Sequence, residues 1–441
     1  MIVNRNRVVQ TITAHPDEFA EVRNPGYIYP PVEYYPLAPR IHRPETLKAA
    51  MMDMDGTTTT TEVLCIHSLE YMVRRMSGLL EKHDWEGIDH HADLPFIIGN
   101  STTRHVEYLL TKYKSLIRHE AVAKAFSEAA WWTLRHGNDD QRKAEVIQNL
   151  RKTGMADEVN KLSASDISID LSGLLMSQLL TGDFTLLVSL GIDIYYETYH
   201  RILALLSSGN TAQVRLLVFG DAHASGHLIS PMPGITFLLP LLKGWLGDEA
   251  HRLAPLLFED YRRSTGKEVD ERRKNILIKR LNELSLTFER QPAKLGLVTS
   301  SIFYEADIVI RQVMQVLAET IAASGLSEAR KQNIIEACND YHHWYDAFVT
   351  ASDSNEIRLK PHRDLYSIAL HKAGLLPPDF SEVIGFEDSQ SGTVAIRAAG
   401  IGCCVAVPFA QTKGHDFAAA THIAHGGIPE VIIDHNLYLK S

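Results

Sequence analysis

LKAAMMDMDGTTTTT, residues 47–61, is a short apolar run that stops abruptly at two aspartates, a glycine and five threonines. An apolar run too short for a helix, closing on a polar turn with glycine, reads as a buried strand. Residues 47–52 are therefore expected to form a strand, with Asp53 and Asp55 at its end. Beyond it the grammar changes. From about Thr61 to Arg290 the apolar residues recur with a helical period. Leu109, Leu110, Tyr113, Leu116 and Ile117 form one such face, and Ile276, Leu277, Leu281, Leu284 and Phe288 form another. Breaks at Gly137, Gly182, Gly209 and Gly266 divide the region into several helices, and no repeat of fixed period is evident.

Strand grammar returns at residues 295–299, and helical segments then run to about Tyr345. Further short apolar runs follow at 383–386, 403–407 and 431–433, alternating with helix-like stretches at 364–373 and 392–399. Alternation of this kind predicts an α/β fold, a Rossmann-like parallel sheet with helices on both faces. The sheet would be interrupted after its first strand by a large all-α insertion. Three parts are expected: a Pro/Tyr-rich arm at 1–46, a core from 47–64 and 291–441, and a helical cap at 65–290. The arm holds seven of the 18 prolines, together with Tyr27, Tyr29, Tyr34 and Tyr35. Proline at that density excludes long helices and central strands. The arm should run extended over a neighbouring surface, anchored by its tyrosines.

The 441 residues are 45% hydrophobic and 22% charged, enough for two or three packed domains and unlike a disordered or fibrous chain. A net charge of −10 argues against a general nucleic-acid binder. Cys65, Cys338, Cys403 and Cys404 show no CxxC spacing and suit a reducing compartment. There is no basic, apolar, small-residue series at the start and no apolar stretch long enough to span a membrane. A cytoplasmic protein with no membrane partner is the expectation.

In an open parallel sheet, functional groups gather at the carboxyl ends of strands. Each core strand here ends in something chemically useful. The first ends in Asp53 and Asp55, the second in Thr299 and Ser300, and a later one in Glu387 and Asp388. Lys360 opens a loop-helix unit that continues through Pro361, Asp364 and Tyr366. Four acids and one cation around one crevice suggest a Mg²⁺ site that also takes a phosphate, since hard carboxylate oxygens suit a small divalent ion.

These residues resemble the four motifs of the haloacid dehalogenase superfamily of phosphohydrolases and phosphomutases. Asp53, Asp55, Gly56 and Thr57 match DxDG[TV], and the strand ending at Thr299 matches the second motif. Lys360, Pro361, Asp364 and Tyr366 match KPxPDxY, with Arg363 where the second proline usually stands. Phe386, Glu387, Asp388, Ser389, Gly392, Ala395, Ala399 and Gly400 match FEDSxxGxxAxxxAG. The resemblance implies that Asp53 attacks phosphorus and becomes an aspartyl phosphate. Asp55 would protonate the leaving oxygen and then activate water or a second hydroxyl. Thr299 and Lys360 would hold the phosphoryl group, with Gly56, Thr57 and Ser300 lining its site. Mg²⁺ would be bound by Asp53, Asp388 and the Asp55 backbone carbonyl, with Glu387 as an added or water-mediated ligand. Residues 99–105 look like the cap loop of the beta-phosphoglucomutase-like branch, which would let Arg104 reach a second anionic group on the substrate. A cap closing over the crevice would exclude a macromolecular substrate.

Departures touch the substrate and leave the core chemistry intact. Thr60 stands where an acid is common, and the interval between the first two motifs is far longer than a usual cap. The expected function is a Mg²⁺-dependent phosphatase acting on a small phosphorylated metabolite. A sugar-phosphate mutase would use the same site. From another class, a catalytically silent scaffold would bind a partner through the helical insertion. Other features read as structural. Residues 218–227 form a Gly-rich loop between helices, Trp131 and Trp132 pack at a helix interface, Ser389 caps a helix, and Cys403 with Cys404 is inert in a buried strand.

Overall fold

The computed structural model describes residues 2–14, 17–24, 29–81, 83–89, 92–97, 102–224, 226–353 and 358–440. The chain forms two compact units, Met1–Thr60 with Ile229–Ser441, and Thr61–Leu228. The first holds a two-stranded antiparallel hairpin, β1 (Phe19–Arg23) and β2 (Val32–Pro36), and a six-stranded sheet. The sheet strands are β3 (Ala49–Asp53), β4 (Lys294–Val298), β5 (Ala347–Val349), β6 (Val383–Glu387), β7 (Cys403–Ala406) and β8 (His422–Ile423), in spatial order β5-β4-β3-β6-β7-β8. Every pairing is parallel. All five residues of β3 and of β6 are buried, so helices and loops cover both faces of the sheet centre. Burying side chains such as Met51 and Met52 contributes about 1.5–3 kcal/mol each. The fold is α/β, as the alternation of strands and helices implies.

Two edge strands escape the sequence reading. β5 has three residues and β8 two, too few to show a period. One expected strand is not a strand. Residues 431–433 end the helix Gly427–Ile433, in which Ile428, Val431 and Ile432 bury one face at helical spacing.

The boundary of the helical insertion also differs from the expected 65–290. The structure divides the chain after Thr60 and after Leu228, so the helices Ile235–Leu242, Ala250–Thr265 and Glu271–Arg290 belong to the unit of the sheet. They are fastened there by polar contacts as well as apolar packing. The Tyr261 hydroxyl donates to Asp434 at 3.0 Å, and Arg280 donates to the carbonyls of Ile432 and Ile433 at 2.9 and 2.6 Å. Ala293 N–H donates to the Leu242 carbonyl at 2.9 Å as the chain re-enters the sheet.

The arm begins with a helix, Arg5–Ile12, that buries no residue; Asn4 caps it by accepting from Arg7 N–H at 3.0 Å. The hairpin follows, and the chain then runs along the sheet unit. Leu37 and Ala38 donate to the carbonyls of Glu18 and Arg397, and Ile41 donates to Gly402. Arg397, fully buried, meets Glu18 at 2.5 Å and the Ala419 carbonyl at 2.8 Å. Hydrogen bonds from Arg40 and Arg397 bring the Glu18 carboxyl down to about 2. Of the tyrosines, Tyr35 is half-buried, Tyr29 and Tyr34 are exposed, and Tyr27 lies outside the described residues.

Every regular element among the described residues of the second unit is a helix. Its longest helix, Phe184–Ser207, is capped by Asp183 and packs against Glu62–Ser77 and His119–His136. Arg75 and buried Glu197 pair between them; Arg75 also meets Glu128 at 3.1 Å, and Arg201 pairs with Glu197. The same long helix buries Asp193, which accepts from Asn149 at 2.7 Å. Trp131 donates to the Ser165 carbonyl at 3.0 Å. Among the described residues no helix is long and apolar enough to cross a membrane.

Candidate active site

Strand register builds the site. Asp53 pairs with Val298, which puts Thr299 and the following turn just beyond it. Met52 pairs with Phe386, so Glu387 and Asp388 leave β6 level with Asp53. The turn after β3 then folds back on itself. Thr58 and Thr59 donate their backbone N–H to the Met54 carbonyl, and the Thr58 hydroxyl donates to the Asp53 carbonyl at 2.6 Å. Gly56 holds φ at +80° within this turn. A Cβ there would stand 2.6 Å from the Phe409 ring and 2.9 Å from an Asp388 oxygen, so the close approach of the first and last motifs needs glycine.

Lys360 is the cation of the cluster. Its ammonium bonds Asp53 and lies 3.0 Å from a Glu387 oxygen. Tyr366, one helical turn into Asp364–Lys372, donates to the same Glu387 oxygen at 2.7 Å, and Ser389 donates to the other at 2.7 Å. Both Glu387 oxygens are thereby engaged within the protein, which makes this residue the holder of Lys360 and Tyr366. Gly392 keeps it there, because a Cβ at that position would lie 1.9 Å from the Glu387 carboxyl carbon. Ser389 also caps the helix Gln390–Ala398, accepting from Gly392 N–H at 3.1 Å.

Asp55 faces the other side of the turn and is partly exposed. Thr299 donates to it at 3.2 Å and Ser301 at 3.3 Å. Ser301 reaches Asp55, and Ser300, expected to line the phosphoryl site, is exposed. Thr57 donates to Asp388 at 3.4 Å. Electrostatics are severe here. Burial pushes the Asp53 carboxyl well above the usual range, Glu387 and Asp55 add to it, and Lys360 opposes. Burial would also lower Lys360, but Asp53 and Glu387 outweigh it and keep the ammonium charged. Burial and Glu387 raise the Tyr366 phenol, which keeps it a hydrogen-bond donor.

Donor oxygens of Asp53, Glu387 and Asp388 lie within 4.8 Å of one another. A compact set of hard oxygens with excess negative charge fits a small divalent cation such as Mg²⁺. The structure thus gathers Asp53, Asp55, Gly56, Thr57, Thr299, Lys360, Glu387 and Asp388 into one site within the sheet unit. Arg104 belongs to the helical unit, exposed on Thr102–Lys112, and residues 98–101 lie outside the described residues. Three contributors were not picked out for the site from sequence: Thr58, Ser301 and Tyr366. Tyr366 sits in the quoted lysine motif, so its signal was available.

A parallel sheet with these residues at its strand ends resembles the haloacid dehalogenase superfamily. No family model matches the chain, and no curated protein matches it. Among solved structures, the chain is similar to CbbY from Rhodobacter sphaeroides in complex with phosphate. That match has 14% identity and a TM-score of 0.40, over 88% of this chain and 96% of that one. A CbbY variant in complex with xylulose-(1,5)bisphosphate matches at 13% and 0.39 over 88% and 96%. A hydrolase from Pseudomonas syringae matches at 13% and 0.35 over 90% and 100%.

Proposed function

We propose that this chain is a member of the haloacid dehalogenase superfamily and hydrolyses a small phosphate monoester with Mg²⁺ through an aspartyl phosphate. The observation that carries the reading is the charge of the cluster. Among the described residues, Asp53 and Glu387 share the ammonium of Lys360 with Asp55 and Asp388 close by, and three of these four acids are buried. Buried carboxylates in excess are costly unless a cation joins them. A divalent ion and a phosphoryl dianion together would complete the charge sum.

Asp53 supplies the nucleophile. Its carboxylate oxygen bonds to phosphorus as the bond from phosphorus to the ester oxygen breaks, and Asp55 gives that leaving oxygen a proton. Thr299 and Ser301 hold Asp55 in place for this transfer. In the second half, Asp55 takes a proton from water, the water oxygen bonds to phosphorus, and the bond to Asp53 breaks to release phosphate. Lys360 keeps Asp53 aimed and neutralises developing charge on the phosphoryl oxygens. Asp53, Asp388 and the Asp55 carbonyl are the groups that would hold Mg²⁺, which when bound supplies further positive charge to those oxygens.

Phosphate release from a broad panel of phosphorylated metabolites, with Mg²⁺ and with chelator, tests this reading. Release should depend on Mg²⁺ and be lost in both Asp53→Asn and Asp55→Asn. An isomerised phosphate ester in place of free phosphate would mean a mutase. No product of either kind would turn attention to the helical unit as a partner-binding module.

A further inference from the structure

Resting on that reading, we infer that the N-terminal arm takes part in the reaction at one remove, with Tyr35 of β2 as a positioning residue for Lys360. Lys360 sits in a turn between the strand-end loop after β5 and the helix Asp364–Lys372, outside any strand or helix. Its ammonium must nevertheless stay between Asp53 and Glu387. Two contacts with the arm hold its neighbours on either side.

On one side is Arg358. Its backbone N–H and guanidinium bond Asp364 at 3.0 and 3.2 Å, closing residues 358–364 into a loop. The same guanidinium reaches Glu33 at 3.3 Å and the Tyr35 hydroxyl at 3.2 Å. On the other side is His362, whose Nδ1 lies 2.6 Å from the Tyr35 hydroxyl, with the two rings edge to face at 5.4 Å. Tyr35 also bonds Glu33.

Hydrogen-bond accounting makes the phenol a complete junction. A tyrosine hydroxyl has one proton to donate and two lone pairs to accept with. It donates to Glu33, which carries no proton to give. Arg358 can only donate, so it fills one lone pair. The second is left for His362, which must then carry its proton on Nδ1. Burial and the bond to Glu33 push the Tyr35 phenol up to about 12, so the donor persists across the working range of pH. Glu33, Tyr35, Arg358, His362 and Asp364 thus fix both flanks of Lys360 through one hydroxyl supplied by the arm. Neither Glu33 nor Tyr35 touches the reacting groups.

The test is Tyr35→Phe in the full chain, which keeps the ring and removes the junction. Hydrogen–deuterium exchange of peptides covering 358–366 should quicken while the melting temperature holds. With Mg²⁺ and the best substrate of the metabolite panel, kcat should fall about tenfold at a KM within about twofold, since small misplacement of a catalytic group is expensive. His362→Ala should fall alike, and His362→Asn, whose amide can donate from a similar position, should recover most of the loss. Tyr35→Phe and His362→Ala combined should be no worse than either alone. Unchanged exchange, full kcat in Tyr35→Phe, or additive losses would each overturn the inference. Failure of the proposed function looks different. Wild type would then match Asp53→Asn in every assay, while the exchange measurement would still decide whether Tyr35 holds the segment.

Discussion

Each unit of the molecule gathers charge around a buried acid, Glu197 in one and Asp53 in the other, and the two clusters balance differently. In the helical unit, Arg75 and Arg201 face Glu197 and Glu128, two cations against two anions. Burial works to lower Arg75, yet Glu197 and Glu128 outweigh it and hold the guanidinium charged. Asp193, a buried acid of the same unit, is relieved another way: burial pushes its carboxyl up to about 7, against the lowering bond from Asn149. In the sheet unit, Asp53 and Glu387 share Lys360, and donor oxygens of Asp53, Glu387 and Asp388 lie within 4.8 Å of one another. A balanced cluster is a structural joint. One with an excess of acids among the described residues is a candidate ligand site.

The largest contrast should come from removing one acid of each kind. Asp53→Asn should cost at least about a thousandfold in Mg²⁺-dependent phosphate release, as expected for loss of a nucleophile. In chelator its melting temperature should equal or exceed wild type, because a repelling charge has gone. Glu197→Ala should do the reverse. It should destabilise the protein by about 1.5–3 kcal/mol in denaturant unfolding, through the lost charged hydrogen bond to Arg75, and leave the Mg²⁺ dependence of the remaining folded protein alone. Equal stability losses in both variants would erase the distinction.

Next in size is the response to the cation itself. Mg²⁺ at about 100 times its dissociation constant should stabilise wild type by about 2.7 kcal/mol. That shift should vanish in Asp388→Asn and persist in Glu128→Gln. Thermal melting with and without chelator reads both.

The smallest effect is one of pH. Asp193 has its folded value raised to about 7, above the ordinary value of 3.8, so the folded state binds the proton more tightly than the unfolded chain. Its favourable contribution is complete below about 3.8 and is lost as pH rises through 7. Asp193→Asn, which keeps an acceptor for Asn149, should gain stability relative to wild type at pH 8 and little at pH 5. A gain independent of pH would show that Asp193 is not the titrating group.

What sequence could reveal follows from how local each signal is. β3, β4 and β6 were legible because an apolar run ending in Asp53, Thr299 or Glu387 carries its own boundary. Residues 431–433 misled for the same reason, since three β-branched or apolar residues in a row look alike in strand and helix until Ile428 is counted. The helices between Ile235 and Arg290 show a buried face in their spacing, but spacing does not say what buries it. The motif residues were legible one by one, while the contact of Ser301 with Asp55 depends on the turn after β4. The junction of Tyr35 with His362 joins positions 327 apart, and nothing local announces it.

Reductive trapping of the enzyme during turnover tests the central claim most directly. Protein quenched with borohydride after exposure to Mg²⁺ and the best substrate of the panel should carry homoserine at position 53, with chelator abolishing it. Phosphate release that continues while Asp53 stays unmodified, or a trapped adduct on a different residue, would contradict the reading of the cation-poor cluster as a phosphoryl-transfer site.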